Sequence, residues 1–320
     1  MKNKTILVTG GSGYIGSHFV WTLVNAGMNP VIFDIQPPAN VIHRRAEYFQ
    51  GDVNNVHHLE DAFSKYAPMY TVHLAAQTHI VSDHDSRGNL WDVNTGGSTN
   101  VLATAITHGC RRIIFTSSSA VYGDAMGPIK ETKALRPVSM YGKTKKFFEE
   151  ILVREAKRKS ISAVILRLFN VAGYDLTVPL SPRVKGRDTL ITNAINSQLQ
   201  NTTLTIYGSE YATKDGTAVR DYVHVTDVVH ALVTAISYQD SNLPLIANIG
   251  SGQGVTNLEV VGLIEGLTRR SIRRTFVHKR RGEVGHSIAN IGLASRALDW
   301  SPHQSSLRRI IQSSIDAYEK

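Results

Sequence analysis

The chain has a single cysteine, Cys110, in 320 residues. That excludes an internal disulfide and a thiolate zinc site. Nowhere does it run to 18 consecutive apolar residues, so no membrane-spanning helix is expected. There is no internal repeat and no low-complexity tract, which excludes solenoids and long linkers. Met1–Lys4 leads straight into an apolar stretch and leaves no room for a secretory leader, so the expected location is the cytoplasm. The 13 histidines show no metal-ligand spacing, and no metal is expected. Acidic residues are the scarcer charge, 26 against 35 Lys and Arg, for a net charge of +9. The late basic cluster is Arg269, Arg270, Arg273, Arg274, Lys279, Arg280 and Arg281. It carries no interleaved aromatic residues and no nucleic-acid module, so most of it reads as a solvated face and no nucleic-acid partner is expected.

What is present is concentrated at the start. Thr5–Ser17 reads TILVTGGSGYIGS: a β-branched run, then Gly10, Gly11, Gly13 and Gly16, then a helical pattern. Strand, glycine turn and helix form the context in which such glycines bind a dinucleotide. The backbone N–H groups where the helix begins, at Tyr14 and Ile15, are expected to receive the pyrophosphate. Asp34, about 20 residues on, ends the second strand, where a carboxylate accepts from the adenosine ribose and selects NAD over NADP. Arg44 and Arg45 leave NADP open if their loop folds back toward Asp34. Asp52 and Val53 follow the third strand, beside the expected adenine position. Ala75 and Ala76 follow the fourth strand on the same side of the sheet. Asn94, in a helical stretch below, is expected among the cofactor residues.

Strands at about 5–8, 31–34, 47–50, 71–75, 112–116 and 163–169 alternate with helices near 14–26, 54–65, 89–108 and 140–158. The class is α/β: a Rossmann-type, doubly wound parallel sheet over 1–170. A second, smaller α/β domain is expected over 171–320, with late elements free to return to the first sheet. It begins with a long loop over 171–189. Helices follow near 190–199, 226–237, 256–268 and 306–318, with strands near 204–207, 246–249 and 274–278.

Tyr141 and Lys145 stand four apart on one helix face, and Ser118 ends the fifth strand. The spacing alone is weak; the third group raises it. A tyrosine base must come down about 3 pKa units, roughly 4 kcal/mol, to work near neutrality. One close cation supplies about 1–3 units. Lys145 is expected to provide most of it, with a positive nicotinamide ring assisting.

The segments TGGSGYIGS, SSSAVYGD, YGKTK, RLFNVAG and DGTAVRDYVHVTDV together resemble the extended short-chain dehydrogenase/reductase family. Within it, they are similar to the UDP-glucose 4-epimerases. The match runs nearly end to end, through Asn248–Gly250 and Arg280–Glu283 to LDWSP. The resemblance implies an NAD-dependent exchange of UDP-galactose and UDP-glucose through a transient 4-keto sugar. Tyr141 becomes the base, Lys145 its activator and ribose ligand, and Ser118 the hydroxyl that orients the substrate. Asn170 contacts the sugar or diphosphate, Arg220 and Arg280 pair with the phosphates, and Glu283 accepts from the uridine ribose. A homodimer through the helices near 89–108 and 140–158 is implied as well.

Three positions depart from the family pattern: Met140 for proline, Thr78 for lysine and Thr192 for proline. Ser287 stands at the pocket floor where bulk restricts N-acetylated sugars, so UDP-N-acetylhexosamines are also expected to fit. The alternatives are a 4-epimerase of a UDP-pentose or UDP-uronic acid, and a non-catalytic NAD-binding sensor. A dehydratase is disfavoured, because Ser119 and Ala120 follow Ser118 where an acidic pair is wanted.

Overall fold

Short β-branched runs separated by amphipathic helices bury a sheet on both faces. The computed structural model describes residues 4–78, 89–158, 160–179, 189–239, 244–280 and 282–319. The expectations that touch Met1–Asn3, Lys159, 180–188 and Arg281 lie outside the described residues. The strands are β1 (Thr5–Thr9), β2 (Asn29–Asp34), β3 (Glu47–Gln50), β4 (Tyr70–His73), β5 (Arg112–Ser118), β6 (Pro128–Ile129) and β7 (Ser162–Leu168). They continue as β8 (Asn170–Ala172), β9 (Leu204–Tyr207), β10 (Val219–His224), β11 (Leu245–Ile249), β12 (Gly254–Thr256), β13 (Arg274–Val277) and β14 (His286–Ala289). The helices are α1 (Tyr14–Asn25), α2 (Asn40–His43), α3 (Val56–Tyr66), α4 (Ser98–Thr107) and α5 (Met140–Lys157). Then come α6 (Leu190–Leu199), α7 (Val225–Ser237), α8 (Asn257–Thr268), α9 (Gly292–Leu298) and α10 (Leu307–Glu319). Among the described residues, no helix is long and apolar enough to cross a membrane.

Seven parallel strands form the main sheet in the order β11-β7-β5-β4-β1-β2-β3. The chain winds outward from β1 through β2 to β3, then crosses to β4 on the other side. The switch point therefore lies between β1 and β4, and a crevice opens beyond their carboxyl ends. One face of the sheet packs on α1, α7 and α9, with Phe19, Leu23, Val228, Leu232 and Leu298 buried there. The other packs on α3, α4 and α5 through Leu59, Phe63, Val101, Phe148 and Leu152. A third core joins β9 to α6, α8 and α10 through Ile206, Ile195, Ile264 and Ile311.

A second sheet has the order β12-β10-β14-β6, with β8 also pairing with β10. β10 is rich in polar groups, yet its Asp221 is fully buried. The Asp221 carboxylate accepts from the N–H groups of Ser251, Gly252 and Ala289 at 2.6, 3.0 and 3.0 Å. One buried acid thus ties β10 to β14 and to the turn before β12. Thr192, a departure from the family pattern, has a local structural role. Its hydroxyl accepts from the Thr189 N–H while the Thr189 hydroxyl, which caps α6, accepts from the Thr192 N–H.

Candidate active site

The chain leaves β1 through Gly10, whose φ of +71° is a conformation that glycine adopts without strain. At Gly16, a Cβ would lie 2.2 Å from the Gly10 carbonyl oxygen. Helix α1 is thus pressed onto the turn, and its N-cap Gly13 brings no side-chain cap of its own. A cavity of ≈ 380 Å³ opens here, lined by Gly10, Gly13, Asp34, Asp52, Val53, Ala75 and Ala76. The Asp34 carboxylate accepts from the N–H groups of Ser12 and Gln36, each at 3.0 Å. Burial pushes its pKa up, and those N–H donors pull it back. Glycines that leave room for a pyrophosphate, a helix start without a side-chain cap and a carboxylate at the end of β2 together fit NAD.

Tyr14 and Ile15 begin α1 as expected, but their side chains serve the fold. The Tyr14 hydroxyl donates to the Gly173 carbonyl at 2.5 Å, and Ile15 packs on the core. Arg44 and Arg45 line a different cavity with Thr5 and Asn29, at the amino ends of β1 and β2. Arg45 lies over the Trp21 ring at 5.0 Å and donates to Asn25. The loop does not fold back to Asp34, which removes the argument for NADP.

Asn94 does not line the cofactor cavity. It sits in a π-helical turn, Asp92–Gly97, and its amide is fully engaged. It accepts from the Gln77 N–H at 2.8 Å and donates to the Gln77 carbonyl at 2.9 Å and to Thr144 Oγ1 at 3.2 Å. Gln77 does line the cavity, and Thr144 donates to the Tyr141 carbonyl at 2.8 Å. Asn94 therefore acts on the cofactor groove and the catalytic helix through their backbones.

Ser118 ends β5, and its hydroxyl accepts from the Ala120 N–H at 3.2 Å. Helix α5 is capped by Ser139, which accepts from the Gly142 N–H at 3.1 Å. A Cβ at Gly142 would lie 2.4 Å from the Ala120 carbonyl oxygen, so glycine lets α5 rest on the turn after Ser118. That contact brings Tyr141 to Ser118. Burial pushes the Tyr141 hydroxyl up to about 12, and the Ser118 hydroxyl pulls it the other way. Lys145 is 3% exposed. Its Nζ donates to the Thr116 carbonyl at 2.9 Å and lies 4.6 and 5.8 Å from the ring centroids of Phe115 and Tyr141. Burial pushes Lys145 down to about 7, against the pull of Glu149. For the chain by itself, desolvation is the larger influence on Tyr141.

β7 lies beside β5 with Leu168 opposite Ser118. Two residues later, Asn170 enters a second cavity of ≈ 290 Å³, also lined by Arg220, Arg280 and Glu283. The structure therefore brings together four of the six expected substrate residues; Ser118 and Ser287 are not in the lining. Arg220 projects from β10, and its Nη1 donates to the Val219 carbonyl at 3.0 Å. The Arg280 guanidinium stands 3.6 Å from the Tyr207 ring centroid. Glu283 accepts from the Arg280 N–H at 3.1 Å. Among the described residues, neither guanidinium pairs with a carboxylate. The loop that carries Arg280 approaches the segment just before the catalytic helix: a Cβ at Gly282 would lie 3.2 Å from the Val138 carbonyl oxygen. Ser287 is 6% exposed on β14, paired with Arg220 but outside the cavity lining. Tyr207 and Asn193, which also line the cavity, escape a reading of the sequence. Tyr207 reads there only as the end of a short strand, and Asn193 as one polar residue of a helix.

Residues 6–250 match the model of the NAD dependent epimerase/dehydratase family. A UDP-glucose 4-epimerase from Lacticaseibacillus casei is 34% identical, over 98% of this chain and 97% of that protein. A crystal structure of UDP-glucose 4-epimerase from Brucella ovis in complex with NAD has a TM-score of 0.91 at 31% identity, covering 98% of each chain. That of UDP-glucose 4-epimerase from Thermotoga maritima, with UDP-glucose, has a TM-score of 0.87 at 29% identity, covering 98% of each chain. The glycine turn, the Ser118–Tyr141–Lys145 cluster and the family match agree: the chain belongs to the NAD dependent epimerase/dehydratase family.

Proposed function

We propose that this chain is an NAD-dependent UDP-glucose 4-epimerase that interconverts UDP-galactose and UDP-glucose. One observation carries the reading. One cavity holds the glycine turn and Asp34, the other holds Arg220 and Arg280, and Ser118 lies opposite Leu168, two residues before Asn170 of the second cavity. Guanidinium is the natural bidentate partner of phosphate, so Arg220 and Arg280 are assigned to the diphosphate. Asn170 is assigned to the sugar end and Glu283 to the uridine ribose.

NAD, when bound, supplies a hydride acceptor and a positively charged ring. Tyr141 Oη takes the proton of the sugar 4-hydroxyl and returns it after the ring has turned. Ser118 Oγ donates to the sugar oxygen as it becomes a carbonyl. The Lys145 ammonium steadies the tyrosinate and holds the nicotinamide ribose. Arg220 and Arg280 keep the UDP in place while the 4-keto sugar rotates about its link to the diphosphate. In this division of labour residues 1–170 serve NAD, with Ser118 and Asn170 reaching the sugar, and 171–320 serve the UDP-sugar while returning β11, α7 and α9 to the first sheet.

The test is to give the purified protein UDP-galactose and follow UDP-glucose. Equilibration from either side without released NADH is expected. Stoichiometric NADH release would point to a dehydrogenase, and no conversion with NAD bound to a sensor. The small Ser287 favours turnover of UDP-N-acetylgalactosamine as well. We also assign a homodimer through α4, α5 and the segment before them. Trp91 and Phe147 support it: they are 39% and 41% exposed, with ring centroids 5.5 Å apart. Sedimentation of wild type against Phe147→Glu tests the dimer. The cytoplasm, where UDP-sugars and NAD are both at hand, is the assigned location.

A further inference from the structure

Lys145 is a buried cation whose one hydrogen bond among the described residues goes to a neutral carbonyl, that of Thr116. The titratable groups that face it are few. From β4 comes His73, whose ring nitrogens are taken by Thr9 and Ser98 at 2.6 and 2.8 Å. Burial, then the charge of Lys145, pushes His73 down to about 3, so it stays neutral. From α5 come Tyr141 and Glu149, and from β5 only the Phe115 ring and the Thr116 carbonyl.

Glu149 is therefore the anion that balances Lys145. It stands four residues further along α5, on the same face, and is 2% exposed. A second cation shares it. Arg167 of β7, 3% exposed, clasps Glu149 through Nε–Oε1 at 3.0 Å and Nη2–Oε2 at 2.6 Å. The clasp is anchored behind. Arg167 Nη1 donates to Tyr122 Oη at 2.9 Å and to the Glu131 carbonyl at 3.2 Å. Tyr122 Oη in turn donates to Asn248 Oδ1 at 2.6 Å. A buried ion pair is a poor way to stabilise a fold, since apolar residues of the same volume do as well or better. Its place, one helix turn behind the active-site lysine, suggests an electrostatic task.

We infer that Glu149 and Arg167 are positioning residues that set the charge of Lys145. Glu149 holds the ammonium protonated, and Arg167 limits how strongly it does so. The inference rests on the reading of Lys145 as the activator of Tyr141. It makes a prediction of sign that a structural role does not: removing the anion and removing the competing cation must shift Lys145 in opposite directions.

The experiment follows the Lys145 ε-carbon resonance against pH in the NAD-loaded protein, assigned by its loss in Lys145→Met. Glu149→Gln should lower the midpoint by about one pH unit or more, and Arg167→Gln should raise it. The alkaline limb of UDP-galactose turnover should move the same way in each variant. Glu149→Asp, which keeps the charge, should bring the midpoint most of the way back; if Glu149→Gln does not fold, the upward shift in Arg167→Gln decides by itself. Midpoints that stay put, or that move in the same direction in both variants, overturn the inference. Because the lysine itself is observed, opposed shifts in a protein inactive on UDP-sugars would sink the epimerase reading and leave this one standing.

Discussion

The cofactor groove and the substrate cavity are built from opposite materials. The groove depends on atoms that are missing: a Cβ at Gly16 would strike the Gly10 carbonyl at 2.2 Å. Around it the polar groups are already engaged, Asp34 by two N–H donors and Asn94 by Gln77 and Thr144. The cavity instead presents charge. Arg220 and Arg280 reach it with backbone or ring contacts and, among the described residues, no carboxylate partner. Shape holds a ligand at any ionic strength, whereas exposed charge holds one less well as salt rises. An epimerase needs both. Its cofactor must stay through the whole cycle, while its product must leave.

The largest effect should come where the halves meet. Tyr141→Phe removes the proton acceptor without touching either cavity, and turnover of UDP-galactose should fall by at least about a thousandfold. NAD content and UDP affinity should remain at wild-type values. Activity near wild type would falsify the assignment of the base. Next come changes that separate the halves. Gly16→Ala should destabilise the protein by about 1–3 kcal/mol and empty it of NAD. Arg220→Ala or Arg280→Ala should leave NAD content intact and weaken UDP binding roughly 10–100-fold, for a charge-assisted contact of about 1.5–3 kcal/mol. Calorimetry with UDP and the absorbance of the released cofactor read the two effects separately. If both variants lost both ligands, the division between the halves would be wrong.

The two halves also differed in how far the sequence disclosed them. The groove is local: β1, Gly10–Gly16, α1 and Asp34 lie within 5–34, and each signal is a spacing. Helix and strand periods in the same way gave α1, α5, β3 and β9 nearly to the residue. The cavity is assembled from 170, 220, 280 and 283, so its residues were reached through family resemblance. Asn170 and Arg220 sit on β8 and β10, and Arg280 and Glu283 on the loop before β14; β8, β10, β12 and β14 are short strands. They exist because Asp221 collects N–H groups from 251, 252 and 289, a pairing with no local trace. Glu149 was within reach, since it continues the four-residue spacing of Tyr141 and Lys145. Its partner Arg167 was not, because that contact crosses from helix to sheet.

Lys145 gives the comparison a pH axis. Burial holds it at about 7, well below the ordinary lysine range. Between pH 7 and 10 the unfolded chain then binds more protons at this site than the folded one. Stability from this group must rise with pH across that window, by at most about 1.4 kcal/mol per pH unit. Above pH 10 the sign reverses at Tyr141, whose hydroxyl stays protonated up to about 12 in the fold. Urea midpoints of the NAD-stripped protein at pH 7, 8 and 9 should climb more steeply for wild type than for Lys145→Met. Equal slopes would show that this lysine is not desolvated.

The smallest effect belongs to Ser287. It is 6% exposed on β14, across from Arg220 in the second sheet, with a short side chain. Ser287→Tyr should therefore cut turnover of UDP-N-acetylgalactosamine about tenfold relative to UDP-galactose, the scale on which pockets discriminate by bulk. The ratio is the quantity to measure. A tyrosine forced into a buried site strains the second sheet and slows both sugars together, and dividing one rate by the other cancels that strain. A ratio that does not move means that the N-acetyl group lies elsewhere. No turnover of the N-acetylated sugar by wild type means that serine at this position is not enough to admit it. Either result would leave the charge-built grip on UDP intact and remove only the claim that the sugar end is roomy.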